Sequence, residues 1–142
     1  MKPARAAPER STAAGDTNLA DPATGPDLTD AADLAHRIVD VASDKKGSDI
    51  VLLRTAELTT MADYFVIASG RSERQVQALS QAIIDELRDD GVRPLGVEGL
   101  ASARWVLLDY GSVIVHVFSP EEREYYGLER LWSQAAQVVR VV

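Results

Sequence analysis

The chain has 142 residues, 46% apolar and 26% charged, which suits one globular domain with tails. It contains no cysteine and only two histidines, His36 and His116, which excludes disulfides and thiolate chemistry and argues against a zinc centre. The formal net charge is −7, and residues 1–26 hold three basic and three acidic groups, so 12 basic and 19 acidic groups in the remainder carry the whole excess.

A domain this acidic repels phosphate backbones, which argues against a nucleic-acid reader and favours a basic protein partner. Negative charge also serves solubility alone. No apolar run approaches the ~20 residues of a membrane-spanning helix, and the first 26 residues have no apolar h-region of a secretory signal. The expectation is a cytoplasmic protein with no membrane association.

In chain order, residues 1–26 are rich in Ala, Pro, Thr, Asp and Gly, with Leu19 the only large apolar residue after Met1. Such a segment cannot offset its ordering entropy and reads as a disordered extension. Its Arg and Ala content admits an organelle transit peptide, but its acidic residues and prolines argue against one. Thr29 then caps a helix to about Asp44, with Asp30 and Asp33 in the first turn and Leu34, Ile38 and Val41 as the buried stripe. Lys45, Lys46 and Gly47 stop it, and His36 lies off the stripe, facing solvent.

Asp49–Arg54 (DIVLLR) reads as a buried strand, and Tyr64–Ser69 (YFVIAS) as a central one covered on both faces. After Gly70, Ser72 and Gln75 form a capping box for a long helix burying Val76, Leu79, Ile83 and Leu87, with Gly91 at C′. Val92–Val97, weakened by Pro94 and Gly96, suits a sheet edge. Arg104–Leu108 and Val113–Phe118 flank the tight Asp109–Tyr110–Gly111–Ser112 connection and read as a hairpin. Ser119–Pro120–Glu121–Glu122 starts a helix with Pro in the first turn and a reciprocal Ser/Glu box. Leu128–Trp132 is a second short helix, and the last ten residues, SQAAQVVRVV, read as a loosely attached helical tail. The order α, β, β, α, β, β, β, α defines an α/β domain: a mixed sheet of about five strands with helices packed on it.

Three constellations could carry chemistry. Ser69–Gly70–Arg71–Ser72 is a strand–Gly–helix junction whose free N–H groups could cradle a phosphate. Nucleotidyl transfer also needs paired carboxylates holding metal ions, and Asp63 and Asp109 each stand without an acidic partner at strand spacing. Asp109 and His116 could form an acid–base pair across the hairpin, but no motif supplies a nucleophile. The third set is Arg104, Trp105, Tyr110, Tyr125, Tyr126 and Trp132. Trp, Tyr and Arg are the favoured anchors of protein interfaces, and Trp132, at a helix end, best suits the core. Trp105 and Tyr110 are five apart, so a regular strand sends them to opposite faces unless the chain bends between them.

Several runs together resemble the ribosomal silencing factor family, the Iojap-like proteins. They are Leu95–Gly99, Ser102–Trp105, Leu108–Gly111, Val113–Phe118, Thr60 with Asp63–Ile67 and Ser69–Gly70, and Tyr125–Tyr126 with Leu128–Trp132. The resemblance covers roughly Asp30 to Ser133, making residues 27–133 the domain and 134–142 a tail. It implies a nucleotidyltransferase-like fold without catalytic carboxylates, no enzymatic activity and no cofactor or metal. It also implies a translational repressor that binds the large ribosomal subunit through its universal protein number fourteen, as a homodimer, and blocks docking of the small subunit. The contact surface implied is Arg104, Trp105, Asp109, Tyr110, Gly111, His116, Tyr125 and Tyr126. The alternative from another class is a nucleotide-binding, transferase-like enzyme with an unrecognised active site.

Overall fold

The computed structural model describes residues 28–142, so the expected extension over residues 1–26 lies outside the described residues. Six strands form one mixed sheet: β1 (Ser48–Arg54), β2 (Tyr64–Ser69), β3 (Gly96–Glu98), β4 (Trp105–Asp109), β5 (Val113–Phe118) and β6 (Ala136–Val141). Their spatial order is β3-β4-β5-β2-β1-β6. Only β2 and β5 pair in parallel; every other neighbour is antiparallel. The helices are α1 (Ala31–Asp44), α2 (Glu73–Asp89), α3 (Pro120–Tyr126) and α4 (Leu128–Leu131).

The alternation of strand side chains divides the core in two. On one face Ile50, Leu52, Val66, Ala68, Val106, Leu108, Val113, Val115 and Val117 meet the apolar stripes of α1 and α2. On the other Val51, Leu53, Phe65, Ile67, Ile114 and Phe118 lie under Leu128, Trp132 and Ala135. Trp132 is half-buried there, edge-on to Phe65 with centroids 5.0 Å apart.

Local expectations hold for the long elements, with corrections at their ends. Asp30, not Thr29, is the N-cap of α1, its carboxylate accepting from Ala32 N–H. The capping box of α2 forms with Ser72 Oγ accepting from Gln75 N–H at 3.1 Å, while Gln75 Oε1 reaches back to the Arg71 N–H. Ser119 is the N-cap of α3 but makes no side-chain cap bond, so the expected reciprocal Ser/Glu box does not form. The strand expected over Val92–Val97 shrinks to Gly96–Glu98, although it does lie at the sheet edge.

The largest difference is at the C-terminus. Residues 136–141 form β6, an edge strand antiparallel to β1, where the sequence pointed to a loose helix. The sixth strand exists because β1 otherwise presents an unpaired edge beside a buried apolar face.

A buried cation fastens the chain end to the sheet. Arg123 of α3 is 8% exposed and makes a bidentate pair with Glu129, 3.0 Å to each oxygen. Its Nη1 also donates to Ser69 Oγ at 2.8 Å. Arg140 of β6 pairs with Asp49 of β1 at 2.8 Å.

Candidate protein-binding surface

The surface is built where β4 begins, β5 ends and α3 crosses over them. Gly99 sets the approach to β4: its φ is +84°, and a Cβ there would collide with the Trp105 carbonyl oxygen. Trp105, the first residue of β4, lies half-buried on the sheet face opposite α1 and α2. Its indole stacks on Phe118 with centroids 5.0 Å apart and meets Tyr126 of α3 at 4.5 Å. Tyr126 in turn packs edge-on to Tyr125 at 5.0 Å, and Tyr125 is 78% exposed. Arg104 stands beside them, its guanidinium 3.2 Å from Glu73. Ser102, Arg104, Trp105, Glu122, Tyr125 and Tyr126 line an open cleft of about 420 Å³.

His116 is the floor of this arrangement rather than part of its surface. It is 4% exposed, and its ring lies between Phe65, edge-on at 5.1 Å, and Phe118 at 6.2 Å. Trp105 Nε1 and His116 Nδ1 are 3.1 Å apart. An indole nitrogen only donates, so Nδ1 is the acceptor and the imidazole carries its proton on Nε2. Burial pushes the His116 pKa from 6.5 down to about 3, so the ring stays neutral.

Of the eight expected contact residues, the structure gathers Arg104, Trp105, Tyr125 and Tyr126 at the surface with His116 beneath them. The other three lie at the far end of β4, ~13 Å along the strand. Tyr110 belongs to the helix-side core, 6% exposed, so the expectation of an exposed anchor at 110 is corrected. The strand alternation decides this, because position 110 falls on the face that α1 and α2 cover. Burial raises the Tyr110 phenol above its ordinary 10, and its hydroxyl finds no protein partner. Asp109 is half-buried, and its carboxylate accepts from the buried Gly111 N–H at 2.8 Å, closing the hairpin turn. The Asp109–His116 acid–base pair, which the sequence disfavoured, is not supported by the strand register. Asp109 sits opposite Ile114 and His116 opposite Leu107, an offset of two residues, or about 7 Å.

Sequence reasoning missed Ser102 and Glu122 on the rim, and Phe118 as the ring beneath Trp105. Only the β4–β5 register could have found Phe118: the hairpin closes with Tyr110 N–H on the Val113 carbonyl, around Gly111–Ser112, and that register sets Trp105 opposite Phe118.

The phosphate-cradle alternative at residues 69–72 finds several of its N–H groups already committed. A Cβ on Gly70 would lie 2.8 Å from Val76 N, so glycine is required there by contact with the helix. Gly70 N–H bonds to the Phe118 carbonyl, and the Arg71 and Gln75 N–H groups are held by Gln75 and Ser72 side chains. Among the described residues no three His, Asp or Glu side chains are placed to hold a metal ion.

The fold and surface thus define an α/β domain that presents an open aromatic cleft on one sheet face. The chain's place among known proteins agrees. The family described as "RsfS: Ribosomal silencing factor during starvation" matches residues 28–141. The chain is 46% identical over 92 residues to the ribosomal silencing factor RsfS of Bacillus subtilis, covering 65% of this chain and 78% of that protein. It is 41% identical over 106 residues to that of Halalkalibacterium halodurans, covering 75% and 91%. A crystal structure of a Chromobacterium violaceum protein superposes with a TM-score of 0.67 at 38% identity, over 76% of this chain and 92% of that one. The protein belongs to the ribosomal silencing factor family.

Proposed function

We propose that this protein is a non-enzymatic translational repressor that binds the large ribosomal subunit and blocks joining of the small subunit, lowering translation during starvation. The observation that carries this reading is the family match across residues 28–141, essentially the whole described domain. It acts by occupying a surface, so it needs a rigid, partly apolar face and no reacting groups. The cleft around Trp105, Tyr125 and Tyr126 supplies such a face: large rings with polar tips, packed against one another in tilted and edge-on contacts before the partner arrives.

The finer assignment is that Arg104, Trp105, Tyr125 and Tyr126 meet the large-subunit protein numbered fourteen in the universal set. Ribosomal proteins are mostly basic, and an acidic domain of net charge −7 complements such a partner. Asp109 and Gly111 lie at the other end of β4 and belong to this contact only if the partner covers the whole strand. The protein acts in the cytoplasm, and homodimerisation accompanies this reading.

Purified subunits test it. With the protein added to large subunits before small ones, sedimentation is expected to show fewer joined ribosomes and the protein in the large-subunit peak. Unchanged joining, or migration with small subunits alone, overturns the reading. Binding of magnesium–nucleotide by the purified protein would favour the transferase-like alternative.

A further inference from the structure

We propose that His116 is a positioning residue, whose Nδ1 accepts the Trp105 indole N–H and so fixes the one orientation of that ring which the binding surface uses. The inference rests on the reading of Trp105 as a contact residue and adds the group that holds it.

Stacking alone does not define the indole. The stacked contact of Trp105 with Phe118 at 5.0 Å and its tilted contact with Tyr126 at 4.5 Å tolerate a ring turned over about its long axis, because both faces of an aromatic ring are alike. A hydrogen bond is directional and breaks when the ring turns. The 3.1 Å contact from Nε1 to His116 Nδ1 therefore selects one of the stacked orientations. It also sets which edge of the indole lines the cleft beside Arg104 and Tyr125.

The histidine is otherwise hard to account for. It lies in the all-buried run VIVHVF, and its second nitrogen, Nε2, is enclosed without any protein partner. An apolar residue at 116 would avoid that unmade bond. Packing therefore gives no reason for an imidazole, whereas the acceptor facing Trp105 does.

Two substitutions separate positioning from packing. Asn and Leu have nearly the same shape, and Asn places Oδ1 where Nδ1 stands while Leu offers no acceptor. Leu is the better core residue. A packing role therefore ranks His116→Leu at or above His116→Asn in both melting temperature and binding. A positioning role reverses the order in binding alone, with His116→Leu weaker for large subunits by about tenfold and His116→Asn nearer the parent. A Trp132→Phe protein that keeps His116 offers a direct readout, since it leaves one indole signal. The Trp105 indole ¹⁵N is expected to show coupling across the hydrogen bond to His116 Nδ1, with slow exchange of its proton. Absence of that coupling overturns the inference, as does a His116→Leu protein that binds like the parent. A parallel Trp105→Ala protein separates the two readings. If it binds at full strength, the surface assignment falls and the inference with it. If it loses binding while His116→Leu does not, only the inference falls.

Discussion

Trp105 opens β4 and Tyr110 follows its last residue, and the two-residue alternation of a strand sends one ring to each side of the sheet. Tyr110 lands among the side chains packed by α1 and α2, and Trp105 under α3. That parity is legible in the sequence. What the sequence did not disclose is which face the long helices cover, and without it an interface role for Tyr110 survives. Cutting Tyr110 to alanine is expected to remove ~3–5 kcal/mol of stability, a large share of a domain's ~5–15 kcal/mol, seen as a marked drop in melting temperature. Tyr110→Phe keeps the ring and deletes only a buried hydroxyl that has no protein partner. It should melt at or slightly above the parent and bind large subunits unchanged. A Phe protein that melts far lower would mean that the hydroxyl holds a bond, to buried water for instance. His116 gives a second residue-scale expectation. Its pKa is about 3 in the folded chain against 6.5 as a free side chain. Between those values the unfolded chain binds a proton that the folded one does not. The stability from the neutral ring is thus complete above pH 6.5 and is lost as pH falls toward 3, at up to ~1.4 kcal/mol per pH unit. Melting curves at pH 7, 6 and 5 should show the parent weakening more steeply than His116→Leu, and parallel curves would show the ring to be less shielded.

At the scale of elements, α1, α2, β2 and the β4–β5 hairpin were legible because each carries its own signal. Apolar residues at helical spacing, an N-cap with Gln three residues on, or an apolar run closed by Asp and Gly needs no distant partner to be read. β6 carries no such signal. SQAAQVVRVV mixes helix-favouring Ala and Gln with strand-favouring Val, and only the open edge of β1 decides between them. The pairing runs from Ile50–Val141 to Arg54–Ala136 and is tied by Arg140 to Asp49. Arg123 was equally hidden, since its partners Ser69 and Glu129 come from segments whose approach no local pattern announces. Deleting residues 136–142 should therefore act as the loss of a sheet strand and not of a loose tail. Val139 and Val141 would leave the core they pack against, and the apolar IVLL run of β1 would lose its cover on one edge. The expected outcome is a lower melting temperature with concentration-dependent aggregation. A truncated protein that melts like the parent and stays monodisperse would show that β6 contributes little.

For the molecule as a whole, the family match begins at residue 28 and runs to residue 141. The aromatic surface, its histidine floor and the Arg123 fastening all sit within that span. The segment before it has three basic and three acidic groups in residues 1–26, so its removal leaves the net charge at −7. Long-range attraction between the domain and a basic partner depends on that net charge, and over a Debye length of ~8 Å on the local charges of the surface. The net charge does not change when residues 1–26 are removed. The segment is also poor in the large apolar residues that could add to the core or to the cleft. A chain starting at Asp27 is therefore expected to melt within about 2 °C of the full chain, since a shift of 1 kcal/mol moves a domain of this size by about 4 °C. It should bind large subunits within about twofold of the full chain and block joining equally well, measured by sedimentation of the two proteins side by side. A clear loss of binding with unchanged melting would place part of the ribosome contact in the first 26 residues. A clear loss of melting temperature would instead mean that the segment packs on the domain.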